Sequence, residues 1–365
     1  MELWYRMRSR GAGALVRPAG MMGDHRPIVM KPPAAHLRST FLEGTPRRRT
    51  THFRKECAMP ADPGMPPQSR EAATPNSIST SATTTYRRAR VGGIGIFYRD
   101  AGPRDAPVIV LLHGYPSSSR MFAGLIPLLA PFYRVIAPDY PGFGNSDAPT
   151  PAQFSYRFDN LARTIGALLE QLGIESYVLY LQDYGGPIGF RIMQEHPDRV
   201  RGLVIQNANA YADGLGEKWT GIARFWEDPV GHGGQVDAFT SLEGARQRHI
   251  AGSPHPERYD PDLWAEEFAF LSRPGQREIQ ASLLYDYRTN VASYPIWQAW
   301  LRARRPLLLV VWGRFDPSFV AAGAEAYRRD VPDAEIHMLD AGHFALDERV
   351  DEIAGLMLDF IARLP

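Results

Sequence analysis

The stretch YLQDYGGPIG, residues 180–189, decides how the rest of the chain reads. An apolar run ends in Gln182-Asp183 and passes at once through Tyr184-Gly185-Gly186 into helical spacing. An aspartate between a strand and a helix is ordinarily a cap or a turn residue. Two consecutive glycines just after it ask for a tighter bend than a cap needs, one in which helix and strand come close together. Such a corner pushes its side chain outward from strained backbone, which is how a nucleophile is presented.

The sequence around this stretch is an alternation of short apolar runs and helical patterns. RARVGGIGIFYRD, with a turn at Gly92-Gly93, reads as a β-hairpin. PVIVLLHG, YRVIAPD, SYVLYLQD and VRGLVIQNAN read as buried strands, with helical spacing in RMFAGLIPLLAPF, in residues 158–172 and in GGPIGFRIMQEHP. From about Ala210 to Arg304 the alternation stops, and helical spacing rich in Trp and Tyr replaces it. RPLLLVVWG, from Arg305, restores the strand pattern, followed by a helix, AEIHMLD and a last helix. This order predicts a mainly parallel sheet covered by helices, formed by residues 87–209 and 305–365, with a helical insertion over 210–304.

Ligands of a parallel sheet bind beyond the carboxyl ends of its strands. Three chemically apt residues stand there: Asp183 after SYVLYLQ, Asp316 after LLLVVWGRF, and His343 after AEIHMLDAG. Their chain order is acid, acid, histidine. Asp330, Asp340 and Asp347 fit the second place less well, because none ends the strand that resumes after the insertion.

Several separate motifs now converge. HGYP (113–116), APDYPGFGNSD (137–147), QDYGG (182–186), WGRFD (312–316) and AGHF (341–344) make residues 88–365 resemble the epoxide hydrolase and haloalkane dehalogenase branch of the α/β-hydrolase superfamily. The resemblance implies an α/β-hydrolase fold whose insertion is a helical cap. It also implies Asp183 as nucleophile, His343 as general base and Asp316 as the acid that orients His343. The backbone N–H groups of Tyr115 and Tyr184 become the oxyanion hole. Two features depart from the family pattern: Leu181 stands where a small residue usually precedes the nucleophile, and Tyr184 replaces a Trp often used to hold a departing halide.

An aspartate nucleophile fits displacement at an sp3 carbon, giving an alkyl-enzyme ester that activated water then hydrolyses. Opening an epoxide leaves charge on an oxygen that needs an O–H donor, whereas releasing a halide needs N–H donors. LLYDYRTNVASYP resembles the family stretch that carries a ring-opening tyrosine, which makes Tyr287 a candidate proton donor. Tyr211 is the candidate partner, with Tyr285 and Tyr259 as alternatives. Phe225, Trp226, Trp297 and Trp300 read as core of the insertion or as walls of an apolar cavity. The expected activity is epoxide hydrolysis. Dehalogenation of a haloalkane or haloacid with the same three residues is the alternative, and a catalytically silent ligand-binding member of the fold a more distant one.

Composition sets outer bounds. The chain has 365 residues, 44% hydrophobic and 22% charged, as globular proteins do. Residues 1–57 carry 12 Lys/Arg against 4 Asp/Glu, and the remainder 29 against 36, so the body is mildly acidic and does not suggest nucleic acid as a partner. The basic stretch and the Pro/Ser/Thr-rich run 59–85 predict a disordered tail over residues 1–86, with an organelle-targeting leader as the other reading. No apolar stretch is long enough to span a membrane. Cys57 is the only cysteine, consistent with a reducing, cytoplasmic setting. No cofactor or metal motif is present: GGIGIF does not open a helix as a dinucleotide site would. The expected partners are a small apolar or amphipathic substrate and water.

Overall fold

The computed structural model describes residues 83–364. Of the tail expected over residues 1–86, residues 1–82 lie outside that range, while Thr85 and Tyr86 belong to the first strand instead. Eight strands form one sheet in the order β1-β2-β4-β3-β5-β6-β7-β8. The first pair, β1 (Thr85–Val91) and β2 (Ile94–Ala101), is the expected hairpin, starting two residues before Arg87. Gly92 and Gly93 join them with φ of 55° and 87°, the paired positive values that a two-residue hairpin turn requires. Antiparallel to β2 runs β4 (Arg134–Pro138), and all later pairings are parallel.

The central strands are β3 (Val108–Leu112), β5 (Tyr177–Gln182), β6 (Val200–Gln206) and β7 (Leu308–Gly313), followed by β8 (Glu335–Leu339) at the edge. Every residue of β5 and β7 is buried, because helices cover both faces of a parallel sheet. Register aligns their ends: Leu112 pairs with Leu181, Gln182 with Gln206, Gln206 with Val311, and Gly313 with Leu339. The loops after β3, β5, β6, β7 and β8 therefore open on one edge of the sheet.

Helices α1 (Ile126–Leu129), α2 (Phe158–Gln171) and α3 (Gly185–Glu195) follow β3, β4 and β5. The helical spacing of RMFAGLIPLLAPF yields only a 3-10 turn and the four residues of α1, because Pro127 permits a first turn but no incoming hydrogen bond. Between β6 and β7 stand five helices and no strand: α4 (Trp219–Glu227), α5 (Gly234–Phe239), α6 (Leu242–Ile250), α7 (Asp262–Leu271) and α8 (Gln276–Arg304). After β7 come α9 (Ala322–Ala326) and α10 (Ala345–Ile361).

Two buried polar contacts anchor the insertion on the sheet domain. Helix α8 buries Ile279, Leu283, Tyr287, Asn290, Tyr294, Trp297 and Leu301, a stripe at three- and four-residue intervals. Next to that stripe, Asp286 accepts the N–H of Phe158 at 2.9 Å. The first residue of α2 is thus capped by a carboxylate from another helix, a contact worth about 1 kcal/mol. On the other side, the His249 ring of α6 donates to Glu267 of α7 at 2.9 Å and to Asp347 of α10 at 3.2 Å. Burial alone would lower the pKa of His249, but the two carboxylates outweigh it and raise it to about 9.

The corner at Asp183 is built by close approach. Asp183 has φ of 48°, a left-handed conformation rare outside glycine. A Cβ on Gly185 would lie under 3.0 Å from the Leu112 carbonyl oxygen, so nothing larger lets α3 start here. The bulk of Leu181 is accommodated one helical turn further on, where a Cβ on Gly189 would collide with the Leu181 methyl groups. Leu181 and Gly189 thus act as a matched pair.

Two measurements check these packing arguments. Gly189→Ala should cost about 1–3 kcal/mol in urea unfolding by overpacking, and much less in a Leu181→Ala background; equal costs in both would refute the pairing. The folded pKa of His249 is above the ordinary value of 6.5, so its contribution is complete below that pH and is lost as pH rises through about 9. Thermal melts from pH 7 to 10 should therefore fall more steeply for the native chain than for His249→Gln, by on the order of 3 kcal/mol at most. Parallel profiles would remove the buried cation from the account.

Candidate active site

The loops at the shared edge bring Asp183, Asp316 and His343 together. His343 Nδ1 lies 2.6 Å from Asp316 Oδ2, and His343 Nε2 lies 3.7 Å from Asp183 Oδ2. All three are buried. Asp316 is saturated: its Oδ2 also accepts from the Asn207 amide at 2.9 Å, and its Oδ1 accepts the N–H groups of Ser318 at 2.7 Å and Phe319 at 3.1 Å. Burial would raise its pKa, but His343 and these N–H donors outweigh that and hold it below the ordinary carboxylate value. An ionised Asp316 accepts the Nδ1 proton of His343 and leaves Nε2 as the basic nitrogen facing Asp183. Gln182 Nε2, 3.2 Å from the same nitrogen, donates to it in this tautomer.

Asp183 has the opposite balance. Its Oδ1 accepts the Tyr115 N–H at 2.8 Å, and the Tyr184 N–H also hydrogen-bonds to its carboxylate. Burial nevertheless dominates these contacts, His343 and Arg248, and raises its pKa above the ordinary value. The Tyr115 N–H thus holds Oδ1, while Oδ2 lies toward His343.

The loop after β3 is held by the motif at the end of β4. Asp139 accepts the N–H groups of Ser119 and Asn145, both at 2.7 Å, and the Tyr140 hydroxyl donates to the His113 carbonyl at 2.7 Å. The His113 ring stacks on Tyr140 at 4.1 Å, and burial lowers its pKa to about 3, so it stays neutral. It shapes the loop and carries no charge at ordinary pH.

A narrow cavity opens above Asp183, with Tyr115 and Tyr184 on its sheet side. Its free space, about 20 Å³, holds one or two water molecules, so a ligand must be small or the insertion must give way. From the insertion, Lys218, Trp219, Arg248 and Tyr287 face the same space. The Tyr287 ring packs edge-on against Phe158 and at 5.8 Å from Tyr184. Burial, then the neighbouring Tyr294 and Asp183, push its phenol well above the usual value, so it is an O–H donor at any working pH.

Tyr211 is not brought to this site. Its hydroxyl donates to Asp330 at 2.8 Å, its ring packs on Tyr327, and Arg302 holds the same carboxylate. The candidate partnership of Tyr211 with Tyr287 is therefore corrected: a phenol committed to a buried carboxylate outside the cavity cannot meet a substrate above Asp183. Tyr259 is likewise tied to Glu348 at 2.6 Å, and Tyr285 is exposed. Phe225, Trp226, Trp297 and Trp300 are absent from the cavity wall, whose indole is Trp219. The Trp219 N–H is spent on the Ser318 carbonyl at 2.9 Å.

Among the residues of the site that escaped the reading of the sequence are Gln182, Asn207, Lys218 and Arg248. Gln182 and Asn207 are polar residues at the ends of otherwise apolar runs, and that break in pattern was the available signal. Asn207, with φ of 42°, also receives the Gly313 N–H at 2.9 Å and so ties the ends of β6 and β7 around Asp316. Lys218 and Arg248 had no signal, being charged residues of a helical insertion, one just before a helix and one within another. Lys218 is exposed as a residue, yet its Nζ turns to Ser318 Oγ at 2.7 Å, and desolvation followed by Arg248 lowers its pKa to about 8.

Known proteins share this architecture. The family described as alpha/beta hydrolase fold matches residues 107–350. An uncharacterized hydrolase of Saccharomyces cerevisiae, YNR064C, is 40% identical over 275 residues, which are 74% of this chain and 94% of that protein. The haloalkane dehalogenase of Psychrobacter cryohalolentis is 30% identical over 278 residues, 73% of this chain and 87% of its own. Among solved structures, haloalkane dehalogenase DbeA from Bradyrhizobium elkani aligns with TM-score 0.63 at 24% identity, covering 76% of this chain and 99% of that one. The epoxide hydrolase CorEH aligns with TM-score 0.63 at 20% identity, covering 77% and 99%. The two structural likenesses speak for the fold alone, while the family match and the full-length relatives carry kinship. This chain is a hydrolase of the α/β-hydrolase superfamily, and it belongs to the branch that holds the haloalkane dehalogenases and epoxide hydrolases.

Proposed function

We propose that the protein is an epoxide hydrolase that works through an alkyl ester on Asp183. The observation that carries this reading is the set of donors above Asp183: the Tyr287 phenol faces the cavity, while the one indole on its wall has its N–H engaged elsewhere. An opening epoxide needs an O–H donor, which Tyr287 offers; for a departing halide the wall has no free indole N–H, only the cationic groups of Arg248 and Lys218.

Asp183 Oδ2 attacks a ring carbon, the carbon–oxygen bond breaks, and the electron pair goes to the epoxide oxygen, which takes the Tyr287 proton. A hydroxyalkyl ester of Asp183 results. His343 Nε2 then takes a proton from water as the water oxygen adds to Cγ of Asp183. The Oδ1 oxyanion that forms is met by the Tyr115 N–H, already on that atom, and by the N–H of Tyr184, which bonds the same carboxylate. Collapse breaks the ester, the departing alkoxide takes the proton from His343, and the acid proton of Asp183 returns to Tyr287. The sum is epoxide plus water to vicinal diol. The helices over residues 210–304 act as the cap that supplies Tyr287 and excludes bulk water.

Halide displacement is the second reading, favoured by the kinship to a full-length haloalkane dehalogenase. Product analysis separates the two, since one gives a diol and the other an alcohol with free halide.

His343→Gln should stop the second half-reaction and leave the elbow peptide heavier by the mass of the epoxide, read by mass spectrometry after a single turnover. No adduct from a broad panel of epoxides and alkyl halides would sink the covalent mechanism. Tyr287→Phe should lower the rate of ester formation from an epoxide by about 10²-fold or more and that from a halide far less; equal losses would remove its donor role. Because only ionised Asp183 attacks and its pKa is raised, single-turnover ester formation should fall as pH drops through a value above the ordinary carboxylate range. An acid limb at or below that range would contradict the burial argument.

A further inference from the structure

The cavity holds two cations that the reaction as written does not use. Arg248, on α6, has its guanidinium against the rings of Phe239 at 4.0 Å and Tyr115 at 4.6 Å. Its Nε is buried and has no hydrogen-bond partner. Lys218 stands across the cavity with only the Ser318 hydroxyl for a partner. Neither forms an ion pair among the described residues, whose other arginines repeatedly do. Of the carboxylates that act on them through space, Asp183 is hydrogen-bonded by two backbone N–H groups and Asp316 is turned toward His343 and Asn207.

A cation with an unpaired, buried N–H is costly beside an apolar ligand, because nothing replaces the water it lost. Beside an anionic ligand the same N–H becomes a strong charge-assisted donor, and the planar guanidinium fits the two oxygens of a carboxylate. Stacking on Phe239 and Tyr115 holds the guanidinium by cation–π contact without using its in-plane N–H edge. An anionic substrate also has to approach the negative Asp183, and cations on the opposite wall offset that repulsion.

We propose that Arg248 and Lys218 form a carboxylate subsite facing Asp183, so that the substrate is a small acid with its carboxylate next to the reacting ring, rather than a neutral epoxide. The epoxide half of this statement rests on the reading above; the carboxylate half does not. It replaces the expectation of an apolar or amphipathic substrate. The small cavity favours a short acid, and a planar carboxylate over a bulkier phosphate.

The test compares glycidate with glycidamide as substrates, and propionate with propionamide as unreactive ligands in calorimetric titration. In the native chain kcat/KM should favour glycidate by at least tenfold, and propionate should bind at least tenfold tighter than propionamide. Both ratios should fall by about tenfold in Arg248→Met and in Lys218→Met, with Arg248→Lys in between. Lys218 is an exposed residue, so its variant keeps the test intact if Arg248→Met does not fold. Selective propionate binding without turnover of either epoxide overturns the epoxide reading and leaves the subsite standing. Turnover of both epoxides with no preference for either acid overturns the subsite and leaves the reaction standing. Equal losses for acid and amide in Arg248→Met also overturn it, since Arg248 would then act only through the charge of Asp183.

Discussion

Asp183 sits in left-handed backbone at the junction of β5 and α3, and the rest of the site is arranged around that constraint. Strain of this kind persists only where the surroundings over-determine it. Here they do so by contact: α3 starts against the Leu112 carbonyl because residue 185 has no side chain, and Leu181 fits because residue 189 has none. The reward is orientation. A carboxylate thrust out of the corner meets the Tyr115 N–H on one oxygen and faces His343 with the other.

Burial gives the two acids different tasks from similar starting chemistry. Asp316 is surrounded by donors and stays ionised, so it fixes the histidine tautomer. Asp183 has fewer donors than its burial demands, so its carboxyl is raised and less solvated, which suits a nucleophile. The strand ends supply the difference: Asn207 and the N–H groups of Ser318 and Phe319 all serve Asp316. Gln182 and Gln206 hold His343 by its ring and its carbonyl. A buried polar network of this density is favourable only when its members are satisfied, which explains why so many side chains attend Asp183, Asp316 and His343.

The insertion contributes through its anchors. Asp286 caps α2 at Phe158, and the Phe158 ring lies edge-on against both Tyr184 and Tyr287. One helix cap thereby positions the Tyr287 ring in the cavity above Asp183. On the opposite side, the buried His249 cation binds α6 to α7 and α10, and Arg248 is its immediate neighbour in sequence. The chemistry of the cavity roof is thus tied to contacts that look purely structural.

What the sequence determined by itself was everything carried by local pattern. Period-two and period-3.6 apolar runs marked the strands and the main helices, and the parallel order followed from their alternation. Asp183, Asp316 and His343 were legible because each directly follows such a run, and a parallel sheet gathers strand ends whatever lies between them. Pattern failed where direction in space decides. Tyr211 and Tyr287 are both tyrosines of the same insertion, yet one phenol turns to Asp330 and the other to the cavity, a choice made by packing across elements more than a hundred residues apart. Lys218 and Arg248 look like surface charges of the insertion, and only its packing over the sheet brings them to the cavity wall beside Asp183. Local periodicity encodes which face of a helix is buried; which neighbour that face meets is a property of the assembled fold.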